Sequence, residues 1–319
     1  MSVQAPCAVV LIRPHHFTPN PGTAADNAFQ SVDPLRTPAQ VAAAAYEEVT
    51  AAADALAGVG VRVHLFDDSD ATRHDSVFPN NWFSTHAGGR VALYPMYAPN
   101  RRTERRSDVI EMLKVRYRVQ DLVDYSGLEQ DCAFLEGTGA MVLDHVSRVA
   151  YTARSNRADP LVLARFCAQF GYEPMAFDAS DETGVAIYHT NVMMAIATRF
   201  ALVGLELIGD PARRAEVAHA LAGPGRDVVE LSAAQVRDFA GNAIELQTPT
   251  GRVLALSARA ARSLTGEQRA TIEQSCRILP LEVPTIELAG GSVRCMLAGI
   301  FLTSRPVPAP SAQEPVLTT

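Results

Sequence analysis

Five residues with hydrogen-bonding or nucleophilic side chains recur along the chain at nearly constant intervals, each just ahead of an apolar stretch. The intervals are 55, 53, 53 and 53 residues, and the residues are Asn81, Glu136, His189, Asn242 and Cys295. A thiol can attack an electrophilic carbon, an imidazole can transfer protons near neutral pH, and a carboxylate can hold a cation or accept a hydrogen bond. The spacing predicts that this chemistry lies at one equivalent position of a repeated unit.

Cys295 is the candidate nucleophile because it follows two glycines in the segment AGGSVRCML, where small residues let a ligand approach the thiol. The four other cysteines lie in or near apolar runs or helices, where a buried hydrophobic role is the simplest explanation. A cysteine nucleophile needs a nearby base or positive field. We therefore expect His189 and Glu136 to lie beside it.

The apolar stretches that follow these residues alternate as β-hairpins do, for example FSTHAGGRVALYP after Asn81 and MLAGIFLTS after Cys295. Helical segments lie between hairpins, with Thr37, Asp210 and Thr265 placed as N-caps, and the strand VRVHLF follows the first helix. Units of this kind must stack to bury their sheets. The pattern predicts an α/β fold in which about five units close into one ring.

Length and composition agree with one catalytic domain over residues 1–305, followed by a tail over residues 306–319 whose Pro, Ala and Ser content predicts disorder. The net charge of -7 gives no basic footprint for nucleic acid or an anionic membrane. We found neither an apolar run long enough to span a bilayer nor a secretory signal, which predicts a cytoplasmic protein. Five cysteines without a CxxC pair predict neither a disulfide framework nor a structural zinc site.

A catalytic metal is the alternative to a cysteine mechanism, since His74, Asp75 and His86 surround the segment DSVFPNNW. The sequence has no HExxH motif and no clustered Cys/His spacing, so we expect no metal. It also has no GxGxxG or P-loop motif after a strand, so we expect no nucleotide cofactor.

The segments DSVFPNNWFSTH, LEGTGAMVLD, YHTNVMM and GGSVRCML together resemble the guanidino-group-modifying, or pentein, superfamily. The branch of citrulline-utilisation hydrolases looks most similar, and the resemblance extends from about Val9 to Thr303. It implies a five-bladed pseudo-symmetric α/β propeller that needs no cofactor. In such an enzyme Cys295 would attack the guanidinium or ureido carbon, His189 would protonate the leaving amine and later activate water, and Glu136 would hold a substrate nitrogen and orient His189.

The first motif departs from that of dimethylarginine hydrolases, which read DSVFVED. Asp75 is retained, whereas Asn80 and Asn81 stand where those enzymes have an acidic pair. A carboxylate suits a cationic guanidinium, while an amide offers both an acceptor and a donor. This favours a neutral ureido substrate, L-citrulline, hydrolysed to ornithine, ammonia and carbon dioxide. Both asparagines could instead be turn residues before a strand.

An α-amino-acid substrate needs an anchor for its carboxylate, and the planar arginine fork matches that group. Arg101 and Arg102 in APNRRTER, or Arg154 in AYTARSN, resemble the corresponding arginines of the family; surface roles are equally open. The competing functions are an arginine or methylated-arginine hydrolase, an amidinotransferase, and a non-catalytic pentein binding protein. A homodimer is possible, since relatives pair through edge strands.

Overall fold

The computed structural model describes residues 3–223 and 225–306. The predicted tail therefore lies, except for Pro306, outside the described residues. The strands are β1 (Ala8–Pro14), β2 (Arg62–Asp68), β3 (Phe83–His86), β4 (Arg90–Leu93), β5 (Asp121–Asp124), β6 (Met141–Asp144), β7 (Val149–Ala153), β8 (Glu173–Phe177), β9 (Met194–Ile196), β10 (Phe200–Val203), β11 (Asp227–Glu230), β12 (Ile244–Thr248), β13 (Gly251–Ser257), β14 (Arg277–Leu281) and β15 (Ala298–Gly299).

Nine helices connect these strands within the described part of the chain. They are α1 (Pro38–Gly58), α2 (Ser107–Arg116), α3 (Gly137–Ala140), α4 (Pro160–Phe170), α5 (Pro211–Ala222), α6 (Ala233–Arg237), α7 (Ala258–Ser263), α8 (Gly266–Glu273) and α9 (Val293–Met296). None of the helices in residues 3–223 and 225–306 is long and apolar enough to cross a membrane.

The strands form five three-stranded sheets of one design, in the orders β15-β1-β2, β3-β4-β5, β6-β7-β8, β9-β10-β11 and β12-β13-β14. In each sheet the middle strand pairs antiparallel with the first strand and parallel with the third. A parallel pair needs a long crossover. Helices α1, α2, α4, α5 and α8 lie in these crossovers, so the predicted unit of hairpin, helix and strand is confirmed.

The five sheets form the five-bladed pseudo-symmetric α/β propeller that the sequence predicted. First strands of neighbouring sheets contact one another, as β15 does with β3, β6 with β9, and β9 with β12. Both ends of the described chain complete the remaining sheet, where Val9 pairs with Gly299. This closure supports the single domain over residues 1–305, which remains a prediction.

The predicted hairpin within MLAGIFLTS is wrong. Only Ala298–Gly299 is a strand there, and its antiparallel partner is β1 from the other end of the chain. The fifth unit therefore takes its middle and third strands from the N-terminal segment. The apolar pattern suggested that this strand pairs with its neighbour through a local turn. It pairs instead with the N-terminal strand, which closes the ring.

The three helices with predicted caps begin where the sequence indicated. The Thr37 hydroxyl accepts a hydrogen bond from the Gln40 amide, that of Thr265 accepts one from the Gln268 amide, and the Asp210 carboxylate caps α5. Such caps satisfy amides that the helix itself leaves free.

Candidate active site

The turns before the first strands bring the candidate residues together. Helix α3 contacts the 3₁₀ turns Pro79–Asn81 and Thr190–Val192, and α9 contacts the turn Pro79–Asn81. Each turn ends where its strand begins, so equivalent positions of several units meet at one end of the ring. This is the arrangement that the equal sequence intervals predicted.

Cys295 lies in the short helix α9 and is 2% exposed. Its Sγ accepts hydrogen bonds from the side-chain amides of Asn191 and Asn242, each with an N–S distance of 3.2 Å. Amide N–H groups are donors that a negatively charged sulfur accepts favourably. The sulfur is thus set in a polar but water-poor environment.

Glu136 and His189 form a buried pair, with Glu136 Oε2 2.8 Å from His189 Nε2. Glu136 Oε1 also accepts a hydrogen bond from the Tyr97 amide at 3.0 Å. Burial raises the pKa of Glu136, but the charges of Arg157 and Arg101 and the hydrogen bond from His189 outweigh it and hold that pKa well below its usual range. Glu136 is therefore an ionised acceptor at neutral pH.

This pairing determines which nitrogen of His189 carries the proton. Because an ionised carboxylate only accepts, the shared proton lies on Nε2, and Nδ1 is left with a free lone pair. Burial lowers the pKa of His189 by more than Glu136 raises it, so the imidazole is neutral at pH 7. A β-carbon at Gly139 would lie 2.8 Å from Nδ1, so glycine at this position keeps space open beside the base.

Arg101 lies among three carboxylates and is 2% exposed. Its guanidinium nitrogens are 2.9 Å from Glu104, 3.4 Å from Asp75 and 3.5 Å from Glu136. In the amide orientation that satisfies both atoms, the Asn81 oxygen accepts from Nη1 and Nη2 at 3.1 Å each. Burial together with the charge of Asp75 raises the pKa of Glu104 to about 8 despite the attraction of Arg101.

Asp75 presents an unused acceptor to this centre. Its Oδ2 accepts a hydrogen bond from the Asn20 side chain at 2.8 Å, whereas its buried Oδ1 has no hydrogen-bond partner among the described residues. An unsatisfied buried acceptor costs free energy, which a ligand N–H group can recover. Asn20 belongs to residues 15–36, a segment without helix or strand that lies over the site.

Arg157 is a second buried guanidinium at the site. It binds Asp26 through a 2.6 Å contact, approaches Glu136 to 3.4 Å and lies over the ring of Tyr188. The motifs in the sequence do not point to Arg157 or Asp26. The one sequence signal for Arg157 is its position three residues after Arg154, close to the same strand end.

One small cavity joins these groups. Its lining comprises Asn27, Asp75, Phe78, Asn81, Arg101, Arg157, Tyr188, His189, Ala289, Gly291 and Cys295. A nucleophile, a proton-transfer group with an orienting carboxylate, and donors for a carboxylate or carbonyl thus face one small space. That combination suits covalent attack on a planar carbon bonded to nitrogen.

The sequence profile of the N,N-dimethylarginine dimethylhydrolase family, eukaryotic type, matches residues 13–302. This chain belongs to that family. As a member of the dimethylarginine dimethylhydrolase family it is a cysteine-dependent hydrolase acting on C–N bonds other than peptide bonds. The predicted membership of the pentein superfamily is confirmed.

Solved structures share the fold of this family member at low sequence identity. The N-terminal domain of ArgZ, an arginine dihydrolase from the ornithine-ammonia cycle in Cyanobacteria, has a TM-score of 0.70 at 14% identity, covering 93% of this chain and 98% of that one. A dimethylarginine dimethylaminohydrolase has a TM-score of 0.62 at 14% identity, covering 94% and 100%. Against whole AgrE the TM-score is 0.69 at 15% identity, and the match spans 40% of that protein. No curated protein sequence matches this dimethylarginine dimethylhydrolase family member.

Two predicted substrate-binding residues of this dimethylarginine dimethylhydrolase family member lie away from the cavity. The Arg154 side chain is 51% exposed and pairs with Asp178 on the surface, so it is not placed to anchor a substrate. Arg102 donates to the Met96 carbonyl and pairs with Glu129. Neither residue belongs to the lining of the cavity.

The remaining predicted residues lie at the cavity or directly behind it. Asp75, Asn81 and Arg101 line the cavity. Asn80 is fully buried behind Asn81, with its backbone carbonyl accepting from Thr138 and its Nδ2 without a hydrogen-bond partner among the described residues. Asn80 is not among the residues that line the cavity, and its contact with a substrate stays a prediction.

Proposed function

We propose that this protein hydrolyses the ureido group of L-citrulline to give ornithine, ammonia and carbon dioxide through a covalent intermediate on Cys295. One observation carries the proposal: the charged side chains that line the cavity are two guanidinium groups, Arg101 and Arg157, and one carboxylate, Asp75. A neutral ureido head group fits this balance better than a cation does.

The carboxylates near the cavity are already paired with the protein's own guanidinium groups. Arg101 is in contact with Asp75, Glu104 and Glu136, and Arg157 is in contact with Asp26 and Glu136. A substrate guanidinium would lie beside two like charges in a poorly solvated space, where charge interactions are strong. A ureido group avoids this repulsion and still offers N–H donors for Asp75 Oδ1.

The side chains support a balanced covalent sequence. His189 Nδ1 takes the thiol proton of Cys295, Sγ bonds to the ureido carbon, and His189 delivers that proton to the departing nitrogen, so that ammonia leaves a thiocarbamate. His189 Nδ1 then removes a proton from water, the oxygen attacks the same carbon, the C–S bond breaks, and the proton returns from His189 to the sulfur. The resulting carbamate of ornithine loses carbon dioxide, so one water is consumed overall.

The buried arginines are also candidates for the substrate α-carboxylate. Arg157 faces the cavity with part of its guanidinium fork committed to Asp26, and Arg101 is committed to Asn81 and the carboxylates around it. We therefore assign the anchor to Arg157 and a positioning role to Arg101. Asn81, held by Arg101, keeps a neutral amide rather than a second negative charge beside Asp75 at the cavity wall, which suits a ureido substrate.

The alternative is hydrolysis of arginine or a methylated arginine. The specific observation in its favour is Asp75 Oδ1, an acceptor without a partner among the described residues, in a carboxylate that shares Arg101 with the ionised Glu136. The family is named for such a substrate, and ArgZ is described as an arginine dihydrolase. A cytoplasmic location and a homodimer stay predictions.

The test is a parallel assay of the purified protein with citrulline, arginine and methylated arginines, in which ammonia is measured and the amino-acid product identified. We expect ornithine from citrulline and no product with Cys295→Ala. Citrulline formed from a guanidino substrate, with citrulline itself inert, would overturn the proposed substrate. Activity retained by Cys295→Ala would overturn the covalent mechanism.

A further inference from the structure

The sulfur of Cys295 is held by two neutral amides from two different units of the ring. Asn191 belongs to the turn after His189, and Asn242 occupies the position in its own unit that Cys295 occupies in the last. Both side chains are fully buried, and each places Nδ2 3.2 Å from Sγ. Two N–H donors therefore converge on the atom that forms the covalent bond.

The orientation of Asn242 is fixed by backbone groups on both sides of its amide. Its Oδ1 accepts from the Arg294 amide at 3.0 Å, and its Nδ2 donates to the Asn191 carbonyl at 2.9 Å. A rotated amide would place oxygen against oxygen and nitrogen against N–H. The second proton of Nδ2 must therefore point towards Sγ.

No backbone group of the described residues fixes the orientation of the Asn191 amide, whose side-chain hydrogen bonds there are with the sulfur. Nδ2 is the nearer atom at 3.2 Å, and Oδ1 is 3.6 Å from Sγ. Burying the Asn191 amide therefore costs less free energy when Cys295 is ionised, because a thiolate is a stronger acceptor than a thiol. Because its orientation is less fixed, this amide can also turn its N–H group from the sulfur towards a neighbouring atom that takes up the negative charge.

We propose that Asn191 and Asn242 form an amide cradle that first stabilises the Cys295 thiolate and then receives the ureido oxygen of the substrate. When Sγ bonds to the ureido carbon, the sulfur becomes a weak acceptor and negative charge develops on the oxygen attached to that carbon. The same two N–H groups then meet an oxyanion, and the oxygen returns to a carbonyl when ammonia leaves. The second part of this inference rests on the proposed citrulline activity.

The cradle also distinguishes substrates. A guanidinium carries only N–H groups around its central carbon and accepts no hydrogen bond, so two fixed donors oppose it. A ureido group places an acceptor there. The amide of Asn191 would thus make the site prefer ureido substrates to guanidino substrates. A carboxylate at this position would reverse the preference.

The test uses the variants Asn191→Asp and Asn242→Asp, with Gln120→Glu as the control because Gln120 is an exposed amide away from the cavity. The first measurement is the rate of alkylation of Cys295 by iodoacetamide against pH, which needs no substrate. A carboxylate beside the sulfur should move the pH midpoint of alkylation up by about one unit or more in either variant. The control Gln120→Glu should show the same pH midpoint of alkylation as the wild type.

The second measurement is the ratio of kcat/KM for citrulline to that for arginine. The loss of one oxyanion donor costs about 10²- to 10³-fold in kcat, so we expect the ratio to fall by about that factor in Asn191→Asp. An unchanged alkylation midpoint in both folded variants would overturn the cradle. If Asn242→Asp does not fold, Asn191→Asp decides alone.

The two parts of the proposal fail separately. A shifted midpoint with an unchanged substrate ratio would overturn the oxygen-receiving role. A wild-type protein that alkylates as expected but does not turn over citrulline would overturn the proposed function and the oxygen-receiving role together, while a shifted midpoint in the variants would still support the thiolate role.

Discussion

Replacing Glu136 by glutamine is expected to remove most activity because it moves the proton of His189 from Nε2 to Nδ1. Glutamine can still accept the Tyr97 amide through its oxygen, but its Nε2 then faces the Nε2–H of His189, where the carboxylate accepts at 2.8 Å. To avoid two donors in contact, His189 moves its proton to Nδ1. The nitrogen that should serve as the base is then blocked.

The size of the effect follows from this geometry. Positioned acid–base catalysis contributes about 10²- to 10⁴-fold, and an imidazole held in the wrong tautomer loses close to the upper value in serine proteases. We therefore expect kcat to fall by about 10³- to 10⁴-fold. The low pKa of His189 means that the residue is neutral at pH 7 with or without Glu136, so raising the pH should not restore activity.

The same change should also cost stability. Removing one partner of a buried charged pair costs about 3–5 kcal/mol. Arg157 remains paired with Asp26, and Arg101 remains paired with Asp75. We therefore expect a loss in unfolding free energy at the lower end of that range. Urea denaturation at pH 7 measures it, and ornithine release measures kcat in the folded protein.

The control is Glu129→Gln, which also removes a largely buried carboxylate from an arginine pair but lies outside the cavity. It should lose stability while keeping kcat within about threefold, since surface arginines carry no catalytic step. If Glu136→Gln kept kcat within tenfold of the wild type, the assignment of the His189 tautomer and of its orienting carboxylate would be wrong.

Three further outcomes are expected. Cys295→Ser should abolish ornithine formation while urea denaturation shows a folded protein; turnover near the wild-type rate in Cys295→Ser or Cys295→Ala would contradict nucleophilic catalysis by the thiol. Arg157→Gln should raise KM for citrulline more than it lowers kcat, whereas Arg154→Ala should leave both unchanged because its side chain is 51% exposed; equal effects would refute the assignment of the anchor. The raised pKa of Glu104, about 8, means that folding favours its protonated form, so this contribution to stability is full below about pH 4 and is lost as the pH rises through 8. Urea denaturation at pH 5.5 and 8.5 should therefore show a decline in the wild type that Glu104→Gln reduces; equal declines would refute the protonated carboxyl.

The repeat and the identity of the central residues could be predicted because both depend on local pattern. Alternating apolar residues around short turns indicate hairpins, and a hydroxyl or carboxylate ahead of a helical segment indicates a cap. Equal intervals then place the residues ahead of each first strand at equivalent points. For this reason the sequence alone groups Cys295, His189 and Glu136 as one candidate site.

The charge partners could not be predicted in this way. Arg154 and Arg157 stand three residues apart in one loop, and the sequence favoured the former; the structure turns Arg157 inward because Asp26, 131 residues away, pairs with it. Asn81 was chosen to contact a substrate, yet its oxygen faces Arg101. Long side chains in loops adopt the orientation that satisfies their charge, and the partner is set by the packing of other units.

The sequence by itself determined a repeated α/β unit, the positions of four of its hairpins and of three helix caps, and the residue types available for nucleophilic attack and proton transfer. The tertiary structure alone decided that β1 and β15 close the ring, that Arg101 fills the space among the carboxylates, and that two amides hold the sulfur. Local hydrogen bonding and periodicity are encoded in neighbouring residues. Burial and charge pairing depend on which distant segments meet, and these decide the chemistry of the cavity.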